Sequence, residues 1–179
     1  RIANAGADSI CIKDMAALLT PYQTEKLVKA LKKAVNLPIQ LHTHSTSGLD
    51  AMCLLKGVEA GADIIETNTL NSNRISQSDF KLENLVYELN FESAKIAREL
   101  CDEFEHKDGK KRYVAGSIGP TNKMASLSPD VEDPSLRSVT FDELKEAYTE
   151  DDFRIMYRLV PDWSFLEEYK SEVKNDNYG

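Results

Sequence analysis

No apolar run in this chain of 179 residues is long enough to cross a bilayer, which takes about 20 residues as a helix. The membrane is therefore not an expected partner. A surplus of positive charge is missing too: 22 Lys and Arg stand against 30 Asp and Glu, for a net charge of −8. That balance argues against nucleic acid or an anionic lipid surface as the main partner. Paired cysteines are also missing. Cys11, Cys53 and Cys101 are odd in number, widely spaced and without a CxxC, so buried reduced thiols are expected. No signal peptide is visible, because Arg1-Ile2-Ala3-Asn4 leads straight into folded-looking sequence. A cytoplasmic protein is the expectation.

What is present is a lysine and a His-x-His pair at the ends of two consecutive predicted strands, 9–13 and 38–43. Between them an amphipathic helix is predicted over 21–35, which makes a parallel βαβ unit. Parallel strands end on one face, where α/β enzymes keep their chemistry. Lys13, His42 and His44 are thus expected to converge there. Side chains alternate along a strand, so His42 and His44 point the same way and Thr43 points away. Two imidazoles about 6–7 Å apart at the backbone, by the strand rise, can grip one metal ion. A metal centre is the first functional expectation.

A weak internal repeat extends the βα series. Ala5-Gly6-Ala7-Asp8-Ser9-Ile10-Cys11 recurs as Ala60-Gly61-Ala62-Asp63-Ile64-Ile65-Glu66; in each copy a helix stops at glycine and a strand follows. Residues 1–7 read as the last turn of a helix, which suggests that something precedes it. Further strands are predicted at 63–67 and 112–117, and helices at 48–60, 82–106, 141–159 and 163–173. Leu85, Leu89, Ala94, Ile96, Ala97, Leu100, Cys101 and Phe104 build the apolar face of helix 82–106, and its charged face reads as solvated. His106 falls in a polar turn and is assigned no chemistry. Residues 121–140 are irregular and rich in proline and serine; loops of that length are usually functional or disordered. Thr140 or Asp142 is placed to cap a helix starting at Phe141. Trp163, Phe165, Leu166 and Tyr169 suggest a packing helix ahead of a frayed polar tail.

Two longer runs are specific. Gly6-Ala7-Asp8-Ser9-Ile10-Cys11-Ile12-Lys13-Asp14-Met15-Ala16, followed by Leu37-Pro38-Ile39-Gln40-Leu41-His42-Thr43-His44-Ser45-Thr46-Ser47-Gly48, resembles the carboxyltransferase barrel of biotin-dependent enzymes. That family includes pyruvate carboxylase, the oxaloacetate decarboxylase α subunit and transcarboxylase. The resemblance covers residues 5–66. It implies that Lys13 is carbamylated and catalytic, and that Lys13, His42 and His44 ligate a divalent metal (Zn, Mn or Co). A carbamate is effectively a carboxylate, so it suits a hard ion. The implied carboxyl carrier is biotin on a separate domain. The family also places an aspartate ligand and substrate-binding Gln and Arg residues on its first strand, and these find no match here.

The second run is Glu59-Ala60-Gly61-Ala62-Asp63-Ile64-Ile65-Glu66-Thr67-Asn68-Thr69, with Tyr113-Val114-Ala115-Gly116-Ser117-Ile118-Gly119-Pro120-Thr121-Asn122-Lys123 and Ala125-Ser126-Leu127-Ser128-Pro129-Asp130-Val131. It resembles the homocysteine-binding barrel of cobalamin-dependent methionine synthase and covers residues 58–149. It implies that Glu66, Thr67 and Asn68 line a substrate site and that Gly116 and Gly119 shape a substrate loop. Zinc and a cobalamin methyl donor are the alternative cofactors. That family holds zinc through three cysteines on later strands, and Cys11, Cys53 and Cys101 match none of them. Without zinc a free thiol, titrating around 8.5, stays mostly protonated near pH 7.

The two likenesses meet at Glu59-Ala60-Gly61-Ala62-Asp63-Ile64-Ile65, so the chain reads as a chimera joined at a helix-to-strand joint. Units 1–66 and 58–149 and a helical tail 150–179 are expected to make one folded domain. A complete (β/α)₈ barrel takes about 250 residues. The expected fold class is therefore α/β: a half TIM-type barrel of about four parallel strands with helices, plus C-terminal helices. Half a barrel leaves two sheet edges and one apolar face to be covered, by the C-terminal helices or by a homodimer that completes the barrel. The leading functional expectation is a metal-dependent carboxyltransferase or decarboxylase fragment acting on pyruvate or oxaloacetate. The alternatives are a homocysteine S-methyltransferase fragment and a folded fragment with no catalysis.

Overall fold

The structure, a computed structural model, describes residues 1–148. The expected helix 163–173, the part of helix 141–159 beyond Tyr148, and the helical tail 150–179 lie outside the described residues. Strands β1 (Ile10–Asp14), β2 (Ile39–Thr43), β3 (Ile64–Glu66) and β4 (Tyr113–Ala115) form one parallel sheet in the order β1-β2-β3-β4. This is the expected α/β arrangement of four parallel strands with helices. Strand β4 is shorter than the sequence suggests. At Ala115 the ladder is still backbone, with Thr67 N–H donating to Ala115 O at 2.9 Å; beyond it a side chain takes over, as Ser117 N–H donates to Thr67 Oγ1 at 3.0 Å.

Helices α1 (Pro21–Ala34) and α2 (Asp50–Glu59) join the first three strands, and α4 (Val86–Asp108) leads into β4; α3 (Arg74–Gln77) is a single turn and α5 (Phe141–Ala147) closes the described chain. Helix α1 starts where local chemistry demands. Thr20 and Gln23 form a reciprocal capping box and Pro21 fills the first turn, where its missing N–H is no loss. Gly6 and Gly61, the two glycines of the repeat, both take left-handed φ, +87° and +100°. Each ends a turn just before a strand, as the repeat predicts. Asp63 then ties the unit together: its carboxylate accepts from Ile39 N–H at 2.7 Å and from Lys32 Nζ at 2.8 Å.

Crossovers between neighbouring parallel strands are right-handed almost without exception, which puts successive helices on one face of the sheet. The core lies there: Val28 from α1, Ile39 and Leu41 from β2, Val58 from α2, Ile65 from β3, and Ala97 and Cys101 from α4. The other face carries the alternate residues Cys11, Lys13, Gln40, His42, Ile64, Glu66, Tyr113 and Ala115. This face is mixed: Lys13, Gln40, His42 and Glu66 alternate with Cys11, Ile64, Tyr113 and Ala115. Cys11 is exposed on it, so only Cys53 and Cys101 fit the expectation of buried thiols.

Helix α4 differs from its sequence pattern in start and facing. Residues 78–80 and 83–85 form 3₁₀ turns, with Lys81 left-handed between them at φ +60°. The buried stripe is Val86, Asn90, Ala94, Ala97 and Cys101, while Leu85, Leu89 and Ile96 are exposed. Small side chains let the helix lie close to the sheet, and Asn90 Nδ2 is drawn in to donate to Ser72 O at 3.0 Å. The charged face is not merely solvated. Arg98 donates to Asp102 at 2.8 Å and to Glu105 at 2.6 Å, and the buried Arg112 donates to Asp108 at 2.6 Å. The helix also runs on to Asp108, so His106 belongs to its last turn. Among the described residues no helix is long and apolar enough to cross a membrane.

Candidate functional site

The sheet register sets the site. Lys13 pairs with His42 across β1 and β2, and Gln40 pairs with Ile64 across β2 and β3. Two residues further along that register His42 stands opposite Glu66, and Glu66 in turn pairs with Ala115. Lys13, His42 and Glu66 therefore occupy one row at the C-terminal ends of three strands, on the open face. His44 follows directly after β2, and Ser45 then turns the chain through a left-handed φ of +58°.

Four of these side chains form a chain of contacts. Gln40 Nε2 donates to Glu66 Oε1 at 2.7 Å. The other carboxylate oxygen, Oε2, takes the Nδ1 side of His42. The far nitrogen of His42, Nε2, lies 2.9 Å from His44 Nε2, with the two rings edge to face at 4.9 Å between centroids. His42 and Glu66 keep only 15% and 13% of their side-chain surface exposed, so this contact is largely shielded from water.

A gap of 2.9 Å between two imidazole nitrogens has room for one shared proton; an ion bound by both would sit beside the line that joins them. Nitrogen donors on neighbouring vertices of an octahedron stand about 3 Å apart at bond lengths of about 2.1 Å, so the pair suits a divalent cation. Two donors do not complete a site. Among the described residues no group of three or more His, Cys, Asp or Glu side chains is placed to hold a metal. Both oxygens of Glu66 are engaged by Gln40 and His42. Lys13 shares this row and is exposed; as an amine it offers no oxygen donor.

The remaining candidates separate. Thr67 is buried and its hydroxyl contacts Thr69 Oγ1 at 2.6 Å; Thr69 in turn donates to Ser117 O at 2.8 Å. The pair pins the ends of β3 and β4. Asn68 is exposed and borders, with Glu66 and Thr67, a cavity of about 260 Å³ walled by Leu54, Ile65, Ile96, Ala97 and Leu100. Gly116 is exposed. Gly119 is buried against Leu70, where a Cβ would come 2.2 Å from the Leu70 carbonyl oxygen. Asp14, next to Lys13, folds its own loop by accepting from Leu18 and Leu19 N–H at 2.9 and 2.8 Å. Burial pushes the Cys101 thiol up to about 11, which makes it a poor source of thiolate. Burial and then the Glu66 charge also raise Cys11, against a smaller pull from Lys13.

Two residues of this network were not among the metal-site candidates. Gln40 and Glu66 become visible from sequence only when strand alternation is combined with register, since each shares a face with its strand neighbour, His42 or Ile64.

A family model described as HMGL-like, a carboxyltransferase-related TIM-barrel family, matches residues 1–103. One described as homocysteine S-methyltransferase matches residues 53–162. The chain belongs to both families. Lys13, His42 and His44 lie where the HMGL-like match stands alone; Glu66 lies in the stretch 53–103 that both matches cover. The two matches overlap over residues 53–103, a stretch that includes the shared phrase at 59–65. Among solved structures, the carboxyl transferase domain of Rhizobium etli pyruvate carboxylase with pyruvate and biocytin is 45% identical over 38% of this chain and 13% of that chain, with a TM-score of 0.36. The same domain with pyruvate, and again with 3-hydroxypyruvate, is 45% identical over 40% of this chain and 12% of that chain, with a TM-score of 0.37. This chain spans about an eighth of the length of those structures.

Proposed function

We propose that this carboxyltransferase-like fragment holds a divalent metal through His42, His44 and a carbamylated Lys13, and acts there on a 2-oxo acid such as pyruvate or oxaloacetate. The observation that carries the reading is the approach of the two Nε2 atoms to 2.9 Å on the open face, in the row shared with Lys13. A divalent ion at this place supplies Lewis acidity toward the substrate carbonyl. The chain's own residues do the rest. His42 and His44 bring their Nε2 atoms to 2.9 Å, the spacing of neighbouring donors around one ion. Lys13 gains its oxygen donors when the neutral Nζ attacks CO₂, forming an N–C bond and releasing one proton. Biotin on a separate carrier domain is the carboxyl carrier in this reading. Pairing of two copies along the edges of β1 and β4, which have no further strand partner among the described residues, would close the barrel and bring further ligands to the row.

The test is metal content by elemental mass spectrometry on protein purified with bicarbonate, beside a His42→Ala/His44→Ala variant. About one metal per chain that disappears in the variant is expected, with oxaloacetate decarboxylation that is lost alongside it. No metal in either sample overturns the reading and leaves a folded fragment without catalysis. Light scattering on the same material is expected to give twice the chain mass.

The match over residues 53–162 favours a second reading, homocysteine binding beside Glu66, Thr67 and Asn68 with zinc and a methyl donor as cofactors. Calorimetric titration with homocysteine separates the two. Heat that survives the double histidine variant supports this second site.

A further inference from the structure

The geometry points to Glu66 as the positioning residue of the histidine pair, and we infer that its carboxylate, held by Gln40, fixes the tautomer of His42. The inference rests on reading His42 and His44 as metal donors, although its first readout needs no metal. A neutral imidazole carries its proton on either nitrogen, and the hydrogen bond at one decides what the other can do. In His42 the Nδ1 side meets Glu66 Oε2. An ionised carboxylate only accepts, so the proton belongs on Nδ1 and the Nε2 lone pair is left facing His44 Nε2 at 2.9 Å. Partners of this kind fix ring orientation and raise the basicity of the donating nitrogen.

The carboxylate is itself held in place. Gln40 Nε2 donates to Oε1 at 2.7 Å, so both oxygens are committed and the carboxylate cannot turn away. The contact is assembled by the sheet. Gln40 and His42 share the open face of β2, Glu66 comes from β3, and the register of those strands brings them together. Glu66 is thus tied to the chemistry of His42, a role distinct from lining a homocysteine site.

Removal or neutralisation of the carboxylate tests this. In Glu66→Gln the new amide and that of Gln40 can turn so that either an N–H or an oxygen faces His42 Nδ1, so the preference for one tautomer weakens. ¹⁵N-histidine NMR on the metal-free chain is therefore expected to show His42 protonated at Nδ1 in the parent and a mixture of tautomers in Glu66→Gln. Zinc affinity, read by competition with a chromogenic chelator, is expected to fall about 10- to 100-fold. Glu66→Ala, which removes the partner altogether, is expected to lose the Nδ1 preference as well. Circular dichroism and thermal melting confirm that each variant is folded.

An unchanged His42 tautomer in both variants overturns the inference, and equal zinc affinity then leaves the metal reading standing without it. If the tautomer responds but the parent takes up no zinc, the positioning role is upheld and the metal reading falls.

Discussion

Gly119 shows how one residue can look functional for a packing reason. Family resemblance gives it a place in a substrate loop, yet it is buried against Leu70, and a Cβ there would sit 2.2 Å from backbone oxygen. Backbone cannot yield as a side-chain tip can, so Gly119→Ala is expected to cost about 1–3 kcal/mol, read as a lowered denaturation midpoint. An unchanged midpoint would return the glycine to the substrate loop. The cysteines make a second prediction at this scale. Cys11 is exposed while Cys53 and Cys101 are buried, and burial also holds the Cys101 thiol at about 11. A chromogenic disulfide reagent at pH 8 is expected to titrate one thiol in the folded chain and three after denaturation, and Cys11→Ser should remove the native reaction. At this scale His42 and His44 were legible because alternation within one strand is local. Their partnership with Glu66 was not, since it depends on how β2 is set against β3.

One helix start was readable: Thr140 ahead of Phe141 becomes a reciprocal capping box with Glu143. Thr20 and Gln23 form a second such box at the start of α1, so Thr20→Ala is expected to cost about 1 kcal/mol in chemical denaturation. The facing of α4 was less readable. Its leucines suggest one stripe, but the small residues and Asn90 define another, because closeness to the sheet outweighs the size of the side chain buried. The charged end of α4 titrates with the fold. Arg112 bonded to Asp108 holds that carboxyl well below the usual range. Burial works against Glu105, but the Arg112 N–H and the Arg98 guanidinium together lower it. Both carboxyls bind protons more weakly folded than unfolded, so their contribution is complete above the ordinary carboxylate range near 4 and drains away as pH falls below it. The melting temperature is expected to drop from about pH 4 downward, and less steeply in Arg112→Met. Parallel acid profiles for the two chains would exclude this network as the cause.

For the whole molecule, composition and the βα repeat sufficed to indicate a parallel sheet with helices, because each strand–helix–strand unit has one handed solution. The mixed character of the face opposite the helices lay beyond that reasoning. Strands with an apolar side toward the helices look alike whether the opposite side is polar or not, until the alternate residues are added up across four strands. The sheet order carries a kinetic consequence. Among the described residues each strand pairs only with its neighbours in sequence, so the sheet can grow by adding one unit at a time, and local order of this kind favours rapid folding. The steps are unequal. Ile10 meets Ile39 and Gln40 meets Ile64, but Ile64 must find Tyr113, a loop about twice as long, whose closure costs roughly 0.6 kcal/mol more for that doubling. Strand β4 should therefore be the last to dock and the first to leave, and its amides should exchange with solvent ahead of those of β2.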